Sequence, residues 1–254
     1  MTYFVKEDSN VREIWGDGDT ILFIFAGASA EFALNKAVDW LYFTGKLPKD
    51  PLGRLFSTVE YARRIVFSDY PSALKAIDQI TAIHQGVEKK RGAKIPDWAY
   101  RDVLFMLIDY SIRSYELLKR KMSDEEKEEV FDVFNRVGLQ MGIGGLPANL
   151  REWEVQRASH LQENLSYSPF TEHLYKQYAK HLGSIRYHVL MQAQASVCPT
   201  AVSLQLKHPR LIWLKPILVV YKLFKKIRIH HFFRNMILPN AYKLQIQNLD
   251  VHRY

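Results

Sequence analysis

Apolar side chains recur along most of this chain at the three- and four-residue spacing of an α-helix. Leu55, Val59, Ala62 and Val66 form one such series, which is the pattern of a helix with one buried face. No alternating strand pair and no Asn-Gly hairpin turn interrupts these series. The pattern therefore predicts an all-α protein, and the lack of internal repeats or linkers predicts one globular domain over residues 1–254.

Start and stop signals divide the pattern into helices. Asp50 and Pro51 are typical of an N-cap followed by a first helical residue, and Ser123 with Glu126 has the spacing of a capping box. Gly92 is typical of a helix end. The predicted helical segments are residues 16–43, 50–67, 70–92, 95–122, 123–141 and 168–183, with a break at 142–150.

Composition narrows the class of protein. Hydrophobic residues make up 48% of the 254 positions, which is enough for a sizeable core. The single cysteine, Cys198, excludes an intrachain disulfide or a multi-cysteine metal site and fits a reducing compartment. Residues 1–10 lack a signal-peptide pattern, and the longest uncharged apolar stretch, residues 20–30, is too short to span a bilayer. We therefore expect a cytoplasmic protein.

The net charge of +8 is concentrated in residues 205–254, which contain ten Lys or Arg residues and one acidic residue. Large apolar residues are mixed with these cations, as in helices that lie on a membrane surface, although Pro216 interrupts the stretch. This basic segment predicts a non-catalytic contact with an anionic membrane surface or an acidic partner, and a solvated helix face is the alternative. Nucleic acid is the weaker option, because no recognised nucleic-acid motif accompanies the charge.

His84 has the most suggestive position of the histidines. In helical projection it falls inside the apolar arc of Ile77, Ile80 and Val87. A buried imidazole needs a hydrogen-bond partner or a metal. The residues alone leave two alternatives, a hydrogen-bonded core histidine or a metal or haem ligand. Glu88, four residues later, is either its neighbour or a solvated residue at the helix end.

Other motifs for catalysis or metal binding are absent from the sequence. There is no Glu-x-x-His or HExxH pattern. His181 and His188 are two helical turns apart, which is too far to share a metal ion, so we interpret them as ordinary surface or core histidines. The stretch GIGG at 142–145 lacks the Lys-Ser/Thr of a phosphate loop. A haem remains compatible with one histidine, because the macrocycle supplies the other four iron ligands.

The helix that starts at Asp50 carries Arg54, Ser57 and Thr58 on the side opposite its apolar residues. By polarity alone this side is predicted to be a solvated face. The same three residues have the chemistry to line a polar site. Whether they face solvent or a site depends on which parts of the protein surround them.

Four stretches follow one another in an order found in a known family. They are FIFAGASAEFALN, DPLGRLFST, ITAIHQGVEKKRGAKIPDWAYRDVLFML and EEVFDVFNRVGLQMGIGGLPANLREWE. In this order and spacing the chain resembles the MpaB-type oxygenase family, whose catalytic domain is shared with the latex-clearing rubber oxygenases. The resemblance is good over residues 12–160 and looser beyond them.

The resemblance implies an all-α, haem-dependent oxidoreductase that uses dioxygen to oxidise an apolar or lipid-like substrate. In rubber-cleaving members a helical histidine is the axial ligand of haem b iron, and His84 stands at that position. Arg54 and Thr58 match an Arg and a Thr on the distal side of the haem. Ser57 also falls there, where rubber oxygenases carry a lysine and many relatives an arginine.

Overall fold

The computed structural model describes residues 2–45 and 49–209 together with 213, 214, 216 and 218, without the side chains of residues 51, 52, 54 and 55. Within this part of the chain the secondary structure is helical apart from two isolated β-bridges. The prediction of an all-α protein is thus confirmed. The helices described are α1 (Asn10–Trp15), α2 (Gly18–Leu34), α3 (Val38–Phe43), α4 (Pro51–Phe67), α5 (Tyr70–Arg91), α6 (Asp97–Leu118), α7 (Asp124–Gln140), α8 (Leu150–Glu163), α9 (Pro169–Val197) and α10 (Thr200–Gln205).

Helix α2 is central to the packing, because α6 and α9 both lie against it. Its small residues allow close approach: Ala30 and Ala33 are fully buried, and Gly27 lies directly under the ring of Tyr110 from α6. A Cβ atom at Gly27 would be 2.2 Å from two carbon atoms of that ring. The main apolar core extends from this contact to Phe4 near the N-terminus and to Val197 at the end of α9.

Most of the predicted helix starts and ends are confirmed. Asp50 caps α4 by accepting a hydrogen bond from the backbone N–H of Gly53 at 2.8 Å, with Pro51 as the first helical residue. Ser123 and Glu126 form the reciprocal capping box of α7. Gly92 ends α5 in the left-handed conformation, with φ of 71°. These local signals survive in the fold because each one satisfies backbone groups that the helix itself leaves unpaired.

Several helical boundaries differ from the prediction: α1 and α10 were not predicted, and α6 ends at Leu118 rather than at residue 122. The segment 16–43 is two helices, because the chain leaves the helical conformation at Asn35 (ψ 132°). The helical conformation does break at the predicted end, Gly183 (φ 72°, ψ 170°), but the helix resumes at once and continues to Val197. Helix α8 follows directly after the glycine-rich break and was not predicted as a separate helix. Asn35 is held at its break by a tertiary hydrogen bond to Asp102, whereas α8 begins at a local N-cap, Asn149.

In the part of the chain that is described, no helix has both the length and the apolar character needed to cross a bilayer. Most of the basic segment 205–254 lies outside the described residues. Its predicted contact with an anionic surface therefore stays a prediction.

The Gly27–Tyr110 contact predicts opposite effects for the same substitution at two glycines. Gly27→Ala should destabilise the protein by about 1–3 kcal/mol, because the buried Tyr110 ring must move to make room for the methyl group. Gly86→Ala is the matched control, since Gly86 is an exposed residue inside α5 with nothing within 4 Å of the added Cβ. It should stabilise the protein by up to about 1 kcal/mol through helix propensity. Thermal and urea unfolding measure both changes, and an unchanged Gly27→Ala protein would contradict the close packing.

Candidate functional site

Helices α4 and α5 form an antiparallel hairpin, because only Ser68 and Asp69 separate them and the two helices pack against each other. Asp69 caps α5 by accepting a hydrogen bond from the backbone N–H of Ser72 at 2.9 Å. Residues equally distant from the turn lie at the same level along such a pair. The stretch 54–58 of α4 is therefore level with residues about 79–83 of α5.

Ser57 and Thr58 are both half-buried in α4. The fully exposed edge of the helix carries Glu60 and Arg64, which pair with each other one turn apart. Ser57 and Thr58 therefore lie between the solvated edge and the core rather than on the solvated face that polarity alone predicted. Arg54 is on the same helix, with its side chain outside the described part.

His84 lies on the apolar arc of α5 at the point where the core stops covering that arc. The first half of the arc is buried, with Ala73 and Ile77 at 0% exposure. In the second half His84 is only half-buried and Ile83 is 48% exposed. The apolar arc therefore runs along α5 as predicted, but only its first half is buried by the core. A half-buried imidazole is left beside apolar surface that the described core does not cover.

Tyr100 from the start of α6 borders the other side of His84. The two rings meet edge to face, with centroids 5.2 Å apart and planes at 80°. The Tyr100 hydroxyl donates a hydrogen bond to Oε1 of Glu88 at 3.2 Å. Burial, reinforced by the negative charge of Glu88, raises the pKa of the Tyr100 phenol above its ordinary value, so this hydroxyl stays a hydrogen-bond donor at neutral pH.

Helix α3 closes the far end of the same face. Arg91 projects from α5 two turns beyond His84, and its guanidinium lies over the ring of Trp40 at 3.9 Å from the ring centre. The same guanidinium pairs with Asp39 at 2.5 Å. Phe43, also from α3, is 49% exposed. The face around His84 is therefore bordered by an aromatic ring at one end and by Tyr100 at one side.

A second group of polar side chains is fully buried between α2, α6 and α8. Arg157 of α8 lies between two carboxylates, making a paired contact with both oxygens of Glu31 and a 2.8 Å contact with Asp109. The Arg157 side chain is 5% exposed and that of Glu31 is 0% exposed. A charge this deeply buried is stable only with a partner. These ion pairs therefore join three helices that are distant in sequence.

His160 also belongs to this buried group, because its imidazole lies between the carboxylates of Glu31 and Asp102. Its Nε2 is 2.8 Å from Glu31, and its Nδ1 is 2.7 Å from Asp102 in a close ion-pair contact. Asn35 and Asn164 donate hydrogen bonds to Asp102. Both ring nitrogens of His160 therefore face carboxylate oxygens, an arrangement that favours the doubly protonated imidazolium.

The charges within this buried group lower the pKa of Glu31 and raise the pKa of His160. Burial alone would raise the pKa of Glu31, but Arg157 and His160 lower it to about 2. Burial alone would lower the pKa of His160, but the contacts with Asp102 and Glu31 raise it above 6.5. Tyr110 completes the group by donating a hydrogen bond to Glu31 at 2.9 Å, with the sulfur of Cys198 3.7 Å from the same hydroxyl.

The sequence carries signals of this buried group, although the apolar periodicity of the helices does not reveal them. Glu31 is the only acid inside the small-residue helix α2 after its first turn, and Asp102 and Asp109 are seven residues apart in the apolar helix α6. Arg157 and His160 are three residues apart, on one face of α8. Isolated charges at helical spacing in apolar helices indicate buried partners, but the sequence does not say which charge pairs with which.

No group of three or more His, Cys, Asp or Glu side chains in the described part of the chain has the geometry to hold a metal ion. A haem requires less of the protein, namely one axial ligand and an apolar surface for the macrocycle. His84 and the partly covered side chains of Ile80, Ile83 and Val87 supply these. The residues present on this face therefore fit a haem.

The described part of the chain is thus an all-α protein in which a half-buried histidine lies on the partly covered apolar side of α5. The family model described as "ER-bound oxygenase mpaB/B'/Rubber oxygenase, catalytic domain" matches residues 12–224. The chain belongs to this oxygenase family, which confirms the family predicted from the sequence. A search of curated proteins and a search of solved structures find no match.

Removing the buried cation should destabilise the fold far more than removing a surface one. Arg157→Met removes the cation that Glu31 and Asp109 share and leaves Glu31 with only His160, and Asp109 with only Arg113, as a charged partner among the described residues, so we expect a loss of about 3–5 kcal/mol in the free energy of unfolding. Arg64→Met, which breaks the exposed pair with Glu60, should change stability little. Urea unfolding followed by circular dichroism measures both, and equal effects of the two substitutions would show that the buried contacts do not hold the helices.

The shifted pKa of His160 predicts a pH-dependent stability. A group whose folded pKa is raised contributes fully below its ordinary value, here 6.5, and loses its contribution as the pH rises through the folded pKa. We expect the melting temperature to fall on the alkaline side, and His160→Gln, which keeps an uncharged N–H donor, to flatten this dependence. His188→Gln is the control, because His188 is exposed, hydrogen-bonds the Ser184 carbonyl and lies beside the ring of Tyr187, both on its own helix, and among the described residues it has no carboxylate contact of the kind that His160 makes. An unchanged pH profile in His160→Gln would refute the imidazolium assignment.

Proposed function

We propose that this chain is a haem b-dependent oxygenase in which His84 is the axial iron ligand and Arg54, Ser57 and Thr58 lie on the distal side. The observation that carries the proposal is the position of His84, half-buried in an apolar arc that the core leaves partly uncovered. It coincides with the ligand position that the family resemblance implies. The antiparallel pairing of α4 and α5 supports it further, because residues 54–58 reach the level of His84.

The residues of this chain have distinct roles in the proposed site. Haem, when bound, supplies the activation of dioxygen. The imidazole of His84 holds the group on α5, while Ile80, Ile83 and Val87 provide apolar surface that excludes water. Arg54 provides a permanent positive charge, and the hydroxyl of Thr58 is a hydrogen-bond donor towards bound dioxygen or substrate.

Ser57 distinguishes this distal side from that of the rubber oxygenases. A hydroxyl replaces the lysine or arginine that the family carries there, so Arg54 is the cation that the proposed distal side retains. The loss of this cation alters the proposed oxygen-side chemistry, while the apolar surface of Ile80, Ile83 and Val87 still suits an apolar, lipid-like substrate. We therefore propose oxygen-dependent oxidation of such a substrate rather than rubber cleavage in particular.

Haem titration of the purified protein tests the assignment of His84. The protein should take up haem b with a shifted Soret band, and His84→Ala should lose this band or bind haem far more weakly. His181→Ala is the control, because His181 is a half-buried histidine on α9, outside the proposed site, and should keep the wild-type spectrum. A wild-type protein that does not shift the Soret band, or an unchanged spectrum in His84→Ala, would refute the proposal.

A further inference from the structure

Glu88 stabilises the connection between α5 and α6 with both its main chain and its side chain. Its carbonyl oxygen accepts hydrogen bonds from the backbone N–H groups of Gly92 at 2.8 Å and Ala93 at 3.3 Å. Its carboxylate accepts one from the backbone N–H of Ile95 at 2.8 Å and one from the Tyr100 hydroxyl. The whole turn, and the first residues of α6, are thus tied to one residue of α5.

The position of Glu88 is unfavourable for a carboxylate that has no other task. It is in the last turn of α5, where the helix dipole favours cations, and the three residues after it are basic. The helix dipole therefore does not explain a carboxylate at this position. The contacts with Ile95 and Tyr100 explain why a carboxylate is found at this place, and they exclude the solvated alternative left open by the sequence.

Tyr100 is the side chain through which Glu88 acts on His84. With its hydroxyl held by Glu88, the Tyr100 ring cannot swing away, and its contact with the imidazole limits rotation of the His84 ring on that side. Two rotatable bonds join the imidazole to the backbone, and the Tyr100 ring restricts their rotation on the side that it borders. An axial ligand binds iron well only when its ring plane is already directed at the metal, which is the task of the residues around it.

We propose that Tyr100 and Glu88 are a positioning pair that fixes the ring plane of His84 for axial ligation. This inference rests on the proposed haem-binding function of His84. Tyr100 is a positioning residue in direct contact with the ligand, and Glu88 acts through Tyr100. The pair also couples the ligand to the α5–α6 turn, so a change in that turn would alter the ring orientation.

Four substitutions separate the contributions of ring and hydroxyl. Tyr100→Leu removes both, Tyr100→Phe removes only the hydrogen bond to Glu88, and Glu88→Ala removes the acceptor. Glu88→Gln should behave like the wild type, because its amide oxygen still accepts from Ile95 and Tyr100. Substitution of residues that orient a metal ligand commonly costs about 10–100-fold in affinity, so we expect haem to dissociate at least about tenfold faster from Tyr100→Leu, with smaller increases for Tyr100→Phe and Glu88→Ala.

Tyr115→Phe is the matched control. Tyr115 is on the same helix, α6, and its hydroxyl also donates a hydrogen bond to a carboxylate, that of Glu13 at 3.0 Å. Loss of this bond should lower the melting temperature and leave the Soret band and haem dissociation unchanged. A tenfold faster dissociation in Tyr115→Phe as well would mean that general destabilisation, and not ring positioning, explains the effect, and would overturn the inference.

A second readout on the protein without haem separates this inference from the proposed function. The imidazole proton signals of His84, assigned by their loss in His84→Ala, should shift in Tyr100→Leu because the ring current of Tyr100 is removed, and should stay nearly constant in Tyr115→Phe. Unmoved His84 signals in Tyr100→Leu would overturn the positioning pair whether or not haem binds. Shifted signals in a protein that takes up no haem would retain the contact and refute the haem function.

Discussion

The buried guanidinium of Arg157, paired with Glu31 and Asp109, is the constraint on which the arrangement of the helices depends. Removing three ionised groups from water is costly, and only close mutual contacts offset that cost. These contacts exist in one relative position of α2, α6 and α8. An apolar contact depends less on exact geometry than a buried ion pair does, so we expect this group of charges to favour one packing of the three helices.

This rigid centre differs from the face that carries His84. Around α2 the side chains are fully buried and close-packed, with the Tyr110 ring resting on Gly27. On α5 the apolar arc continues beyond the core, and its side chains are only partly covered. The proposed haem and apolar substrate would need such a surface, held in place by the α4–α5 hairpin and by the Glu88 contacts at the end of α5.

Membership of the oxygenase family describes the catalytic domain in general, whereas the residues of the proposed site describe this chain in particular. The family is established over residues 12–224 and concerns the catalytic domain as a whole. Within it, the histidine, arginine and threonine expected from the family are retained, while Ser57 replaces the usual cation. The serine at this position is therefore a property of this chain, and in the proposed site it makes the distal side less charged than in the rubber oxygenases.

Much of the local structure follows from the sequence alone. The all-α class, the caps at Asp50 and Ser123 and the end of α5 at Gly92 depend on neighbouring residues, which the sequence displays directly. The sequence also identified His84 as the unusual residue of an apolar arc. The tertiary structure alone decided that this arc loses its cover at His84, that Tyr100 and Glu88 lie beside it, and that Glu31, Arg157 and His160 form one buried group. Periodicity shows which side of a helix avoids water, but charges far apart in sequence find their partners only when the helices pack.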